Sequence, residues 1–331
     1  MSGLRVFDIF CGAGGFSCGF EQAGFDIEIG FDLNEDALRT FVNNHNADGG
    51  LWDLQEMDPG TMDTQYGLHG GLVDVMIGGP PCKGFSTMGE RDESDVRNRL
   101  YYCAIDYVNH LSPDVVLFEN VVGLKSMEDG RGENVLDNIV QAFELCENPT
   151  YNVSWRVFDA VDFGVPQTRK RLLVCAVSEN LHFTSEDVLS IEPDESERSL
   201  EDVVEVEDRY DVQTSPANEG RQLRQETALR GIDEPSYTIK ADVPNSLLNS
   251  DDLPVDSIKD IDSRRLTIDE IKRVQSFPDD YEFHGDTKTS MYKQIGHAVP
   301  PQMAYHFAVR IRKLLQGEPV DGGLQTELGS F

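Results

Sequence analysis

A doubly wound α/β fold with a mostly parallel sheet and a smaller, irregular domain is predicted by three observations. Short runs rich in Val, Ile and Phe alternate with helical spacings over about 175 residues, the first run ends in a glycine-rich turn, and the texture changes after Ser178. Residues 4–10 (LRVFDIF) read as a buried strand that breaks at CGAGG, and Phe16, Phe20 and Ala23 then follow at helical spacing. The unit recurs, with a strand at 27–31 and a helix at 35–44, then a strand at 73–77 and a helix at 100–110. Residues 115–118 and 172–177 add buried strands, with a helix at 134–145 between them. Alternation of this kind buries both faces of a parallel sheet under crossover helices.

Beyond Ser178, residues 186–211 hold twelve acids against Arg198 and Arg209, and the chain stays polar and weakly periodic to about 262. Regular structure resumes at Leu266, where Thr267-Ile-Asp-Glu270 is a capping box that opens a helix through Val274. A last helix follows Pro300-Pro301 and runs through Phe307 and Ile311 to Leu315. The expected division is 1–178 with 284–316 as one domain, 179–283 as a second, and 317–331 as an acidic, flexible tail.

Composition excludes several classes. The 331 residues include 39% apolar residues, enough for one large core or two smaller ones, and no stretch approaches a membrane span. Residues 1–10 run into a strand without a signal-peptide pattern, so a cytoplasmic location away from any membrane is expected. The six cysteines (Cys11, Cys18, Cys82, Cys103, Cys146, Cys175) are scattered without C-x-x-C pairs, which predicts reduced thiols and no metal site. Sixty acids against 28 bases leave −32, with only 9 Lys beside 19 Arg. At first sight that balance argues against a nucleic-acid partner.

In an open α/β sheet ligands bind at the carboxyl ends of the strands, and the first glycine-rich turn is the usual nucleotide contact. Here it is Phe10-Cys-Gly12-Ala-Gly14-Gly15-Phe16, and Ser17 stands where the G-x-G-x-x-G dinucleotide fingerprint needs glycine, which disfavours a dehydrogenase. Asp32 ends the second strand, where a carboxylate can accept from ribose hydroxyls, and Asp53 could receive an adenine amino group. S-adenosylmethionine, an adenosine with an anionic amino-acid tail, fits this set.

Gly78-Gly-Pro-Pro-Cys82-Lys-Gly-Phe-Ser86 follows another buried strand and puts Cys82 at the same sheet edge. The prolines stiffen the approach, the glycines leave room for a flat substrate, and a nearby guanidinium or a turn of backbone N–H groups would favour the thiolate that attacks. Glu119-Asn120-Val121 ends a further buried strand, where polar groups are costly unless used. Gln167-Thr-Arg169-Lys-Arg171 enters the strand at 172–177, and alternation puts Gln167, Arg169 and Arg171 on one face.

With these pieces in this order the chain resembles the DNA (cytosine-5)-methyltransferase family over nearly its whole length outside about 180–262. DIFCGAGGF, Asp32, Asp53-Leu54, GGPPCKGFS, 97–100, ENV, QTRKR, RRLTIDEIKRVQSFP and QIGHAVPP carry the resemblance. It implies an S-adenosylmethionine-dependent, Rossmann-like methyltransferase in which Phe10, Gly12, Gly14, Gly15 and Phe16 shape the cofactor pocket. Asp32 would hold the ribose, Asp53 and Leu54 the adenine, and Pro80 and Leu100 would line the methionine side. Cys82 is the implied nucleophile, Glu119 contacts N3 and the amino group of cytosine with a proton at or shared with N3, and Arg169 and Arg171 help hold the base and loop, with Arg171 on O2. Two positions depart from the pattern: His297 replaces the usual Asn, and Leu33 covers the adenine without the π face the family often has.

The target must be flipped from duplex DNA, and residues 86–99, with Ser86, Arg91, Arg97 and Arg99, read as a loop closing over it. The stretch from about 178 to 263 sits where the family carries its target recognition domain. There Arg221, Arg224 and Arg230 are candidate DNA contacts or solvated arginines balancing nearby acids, and EPSYTI at 234–239 resembles the segment before the last motifs. Double-stranded DNA, a cognate restriction endonuclease and a monomeric state are the expected partners and form. An RNA methyltransferase of the same fold shares Cys82 and ENV. A non-catalytic DNA-binding relative would tolerate losing Cys82, Glu119 or Arg171, all of which are present. The charge then becomes a statement about solvent. At molar salt the Debye length is only about 3 Å, so carboxylates keep the surface hydrated without long-range repulsion, and a halophilic, archaeal source with a local basic strip facing DNA is expected.

Overall fold

The computed structural model describes residues 3–81, 100–129, 131–192, 198–205, 212–214, 229–241, 246–248 and 263–320. In chain order, β1 (Arg5–Ile9), α1 (Gly15–Gln22), β2 (Asp26–Asp32), α2 (Glu35–Asn44), β3 (Asp48–Leu51), α3 (Thr61–Gln65) and β4 (Val75–Gly78) come first. They are followed by α4 (Leu100–Leu111), β5 (Val115–Val121), α5 (Val135–Glu144), β6 (Tyr151–Asp159), β7 (Lys170–Ser178) and α6 (Ser185–Leu189). The strands form one sheet in the order β3-β2-β1-β4-β5-β7-β6. Its first four pairings are parallel, while β7 runs antiparallel to both β5 and β6. The mostly parallel sheet is therefore as expected, and β6, whose outward residues break its apolar run, is a strand the sequence pattern does not disclose.

Period-two alternation decides which core each strand residue enters. Val6, Ile27, Val75, Leu117 and Cys175 face one layer, which contains Phe16 and Phe20 of α1 and Phe307. Their neighbours Phe7, Met76, Phe118 and Val174 face the other, packed on α4 and α5 through Tyr107, Val108 and Phe143. Each such fully buried aromatic or branched side chain contributes about 1.5–3 kcal/mol by leaving water. Helix α2 starts at Asn34, whose side chain caps Ala37 N, and α5 starts at Asn134 in the same manner.

The remaining elements are β8 (Val212–Thr214), β9 (Leu229–Gly231), β10 (Ser246–Leu248), β11 (Ser263–Arg265), α7 (Ile268–Val274), α8 (Lys288–His297) and α9 (Pro301–Leu315). The four short strands make a second, antiparallel sheet in the order β11-β10-β8-β9. Thr267 and Glu270 form the expected capping box at α7, and Pro301 opens α9. Packing does not follow the division expected at 178/179 and 283/284. Phe183, Val188 and Leu189 are buried in the main core beside α9, whereas Ile295 of α8 joins Leu247, Leu266 and Ile271 in the small one. Composition reports the solvent-facing surface, which turns acidic before the buried contacts change. Residues 321–331 of the expected tail lie outside the described residues.

Among the described residues no helix is long and apolar enough to cross a membrane, and no group of His, Cys, Asp and Glu could hold a metal ion.

Candidate active site

The strand order reverses between β1 and β4, so the carboxyl ends of these two strands open the crevice where a ligand enters such a sheet. After β1, Phe10 takes a left-handed φ of 67°, a conformation that costs a non-glycine residue about 1–3 kcal/mol. Gly12 (φ 53°) and Gly14 (φ 83°) continue the turn, which Gly14 N closes on the Cys11 carbonyl at 2.9 Å. Asp32, at the end of β2, accepts from Gly12 N at 2.8 Å and from Asn34 N at 2.7 Å. Burial raises the Asp32 carboxyl above the usual range, and these two N–H groups partly offset that. No atom outside its chain neighbours lies within 4 Å of where a Gly12 side chain would stand, and Leu33 next to Asp32 is 62% exposed. Open space over a glycine, a held carboxylate and a bare apolar side chain fit an adenosine ligand.

Other members of the predicted cofactor set are placed differently. Phe16 is buried in the main core, edge-on to Phe20, so its ring does not line the turn. Gly15 is a packing residue, since a side chain there would strike the Val299 carbonyl. Leu54 is buried in the second core, while half-buried Asp53 accepts from Gln55 N at 3.0 Å. Leu100 is buried at the start of α4.

At the end of β5, Glu119 Oε1 meets Arg171 Nε at 2.6 Å, both side chains mostly buried. The pairing is a product of register: Glu119 stands opposite Leu173 on antiparallel β7, which places Arg171 diagonally across on the same face. Glu119 Oε2 faces Gly79, where even an added methyl group would sit 3.5 Å away. Asn120, the next residue, donates to the Pro80 carbonyl at 2.8 Å and lies 2.7 Å from the Tyr101 hydroxyl. The amide thus fixes the chain two residues before Cys82 against the strand that carries Glu119. Cys82, Ser86, Arg91, Arg97, Arg99, Arg221 and Arg224 lie outside the described residues.

Two arginines expected to face a base or DNA are corrected by their contacts. Arg169 is 1% exposed, and its guanidinium donates to the carbonyls of Ile239 (3.0 Å), Gly296 (2.9 Å) and Ala298 (3.2 Å). Beside it Gln167 receives Ile239 N and donates to Gln275, which donates to Ala298 O. This polar seam joins the entry to β7 with the chain around α7 and α8. Arg230 donates to Thr168 and the Pro235 carbonyl and lies 4.3 Å over the Tyr237 ring, so it is spent inside the protein. His297 is exposed at the last turn of α8.

The sequence reading missed Asp8 and Tyr101. Asp8 is buried at the β1 end, accepts from the Ser17 hydroxyl at 2.6 Å, and is pushed up to about 8 by burial. An acid inside an apolar strand was the available signal. Tyr101 carries none, because its partner is 19 residues away.

A switch-point sheet with an adenosine-type turn at β1 and a paired Glu–Arg at β5 defines an S-adenosylmethionine-dependent methyltransferase of the Rossmann-like class. The chain belongs to the C-5 cytosine-specific DNA methylase family, whose sequence model matches residues 4–313. It is a DNA cytosine-5 methyltransferase. The chain is 31% identical over 329 residues to the type II methyltransferase M.AplI of Arthrospira platensis, covering 96% of this chain and 88% of that protein. It is 40% identical over 172 residues to M.AgeI of Thalassovita gelatinovora, a match covering 52% of this chain and 39% of that one. The S. pombe Dnmt2 methyltransferase structure superposes with a TM-score of 0.65 at 17% identity, over 94% of this chain and 99% of that one.

Proposed function

We propose that this methyltransferase modifies one cytosine within a specific duplex sequence, through transient addition of the Cys82 thiolate to C6 of a flipped base. The observation that carries this reading is the Glu119–Arg171 pair beside Gly79, on the strand whose Asn120 anchors the approach to Cys82. A base entering this edge meets a carboxyl group suited to N3 and the exocyclic amine, and a guanidinium suited to O2. As the Cys82 sulfur bonds to C6, the C5–C6 double bond opens and electron density gathers at C5 and over N3 and O2. Glu119 and Arg171 offset that charge at the ring edge. Phe10, Gly12, Gly14, Asp32, Leu33, Asp53 and Pro80 are the residues that would hold S-adenosylmethionine, which when bound supplies an electrophilic methyl group. C5 would take that methyl as its bond to the sulfonium sulfur breaks, leaving S-adenosylhomocysteine. A base would then remove the C5 proton, and the electron pair of the broken C5–H bond would restore the double bond and expel the thiolate.

Glu119→Gln keeps the shape of the side chain and replaces the carboxyl group with an amide that cannot pass a proton to N3. Single-turnover transfer should fall by about 10²–10³-fold with DNA binding retained. An unchanged rate would remove Glu119 from the chemistry.

The type II relatives support sequence-specific recognition and a cognate restriction endonuclease as partner. Residues 179–283, which carry the separate sheet of β8 to β11, are the proposed recognition element, and Arg91, Arg97, Arg99, Arg221 and Arg224 the proposed basic contacts. Action in the cytoplasm as a monomer is the form this reading takes. With −32 net charge, the protein is further proposed to work in molar salt, as in a halophilic archaeon. The test is transfer of labelled methyl to mixed-sequence duplex DNA and to tRNA, at 0.1 M and at molar KCl (roughly a 10 Å against a 3 Å Debye length), followed by base-resolution mapping. Label at C5 of one cytosine in a fixed DNA context, only at high KCl, is expected. Label on tRNA alone would overturn the DNA substrate, and full activity with a cooperative fold at low salt would overturn the halophilic reading.

A further inference from the structure

Beneath the glycine-rich turn, three polar side chains from distant parts of the chain meet in a line. Tyr281 Oη lies 2.5 Å from the Ala13 carbonyl and 3.0 Å from His45 Nε2, and His45 Nδ1 lies 2.8 Å from Glu21 Oε2. The His45 ring is fully buried, tilted against Phe41 at 4.9 Å between centroids, and it follows directly on α2. Glu21 is on α1, and Tyr281 follows α7 and packs with Phe277 and Cys18.

The protons in this line can be counted. A carbonyl oxygen only accepts, so the single Tyr281 proton must point at Ala13. Were it turned to His45, two oxygens would face each other at 2.5 Å with no hydrogen between them. Tyr281 therefore accepts from His45, which requires a proton on Nε2. Nδ1 faces a carboxyl group, and one proton must lie between those atoms too. Because the Glu21 side chain is 42% exposed and hydrated, the carboxylate with an imidazolium is the arrangement water favours. The line thus stores one proton more than a neutral imidazole beside an ionised glutamate would.

What it supports is the Ala13–Gly14 peptide. Gly14 has φ 83°, and a side chain there would lie 2.5 Å from His45 Nε2 and 2.6 Å from the Tyr281 hydroxyl, so the turn rests directly on these two rings. We propose that Glu21, His45 and Tyr281 are positioning residues for the cofactor, a protonated strut that fixes the Ala13 carbonyl and so the orientation of the glycine-rich turn. The proposal rests on the assignment of that turn to S-adenosylmethionine.

Two measurements on the full-length protein test it. Nitrogen-15 spectra of histidine-labelled protein, with the His45 signal assigned by its loss in His45→Asn, should show both ring nitrogens protonated. A signal with one bare nitrogen would overturn the proton count and the strut with it. In the second, calorimetric titration with S-adenosylmethionine should give a Kd for Tyr281→Phe raised about tenfold, the scale of a lost hydrogen bond to a charged chain, while kcat at saturating cofactor changes little. An unchanged Kd in folded Tyr281→Phe overturns the strut while leaving the cofactor assignment standing. Wild-type protein that binds no S-adenosylmethionine overturns both.

Discussion

Cys82→Ala is expected to slow methyl transfer to cytosine C5 by at least about 10⁴-fold while leaving cofactor affinity and melting temperature at wild-type values. Cytosine C5 is a poor nucleophile, and nothing in the Glu119–Arg171 pair makes it a better one unless a bond forms at C6. The pair stabilises charge that only sulfur addition creates, so without the sulfur its contribution is not realised. Unchanged stability is expected of Cys82→Ala. The approach to Cys82 is fixed by Asn120 holding the Pro80 carbonyl, a contact the substitution leaves intact. Single-turnover transfer of labelled methyl measures the rate. DNA with fluorine at C5 gives an independent readout, because fluorine cannot leave as a proton does, so wild-type enzyme should stay attached to it through denaturation and Cys82→Ala should not. Transfer by Cys82→Ala at the wild-type rate would end the covalent mechanism.

Arg169→Met should destabilise the protein by about 3–5 kcal/mol, the penalty for leaving buried acceptors without a charged donor. Three backbone carbonyls, at Ile239, Gly296 and Ala298, converge on this guanidinium, and methionine of similar length can satisfy none of them. Burial, and next the nearby Arg171, push the Arg169 pKa down, and Glu119 acts the other way. Three hydrogen bonds from its terminal nitrogens are made at that depth, while its Nε finds no partner among the described residues. Denaturant unfolding of Arg169→Met beside Arg171→Met separates a strut from a base contact. If Arg169 held the base, its variant would keep wild-type stability and lose only kcat. Arg171, whose mostly buried side chain meets the single carboxylate of Glu119, should lose kcat more than stability.

The strands and helices that carry the site were legible because each is a local pattern. Residues 35–44 have one apolar face behind an Asn cap, and α2 spans them. The β1 run stops at its glycines in the sequence as in the structure. Roles that depend on who stands opposite were not legible. Arg169 and Arg171 sit two residues apart in one basic string, yet one binds three carbonyls and the other Glu119. Phe16 and Leu54 belong to the motif strings, but their side chains complete cores. His45 and Tyr281 are 236 residues apart, and neither stands in a pattern that marks a proton line.

By itself the sequence determined the α/β class, the ends of strands where ligands meet the sheet, and a set of reactive residue types whose order resembles one family. These are properties of short segments, since hydrophobic period and turn chemistry act over a few residues and survive in one dimension. Only the tertiary structure decided which of those residues face the crevice and which hold it up. Such a decision rests on buried polar groups finding partners across long chain separations. An unpaired donor or acceptor at that depth costs about 1–3 kcal/mol, so the fold assigns Arg169, Asn120 and Tyr281 to backbone carbonyls that no local pattern names.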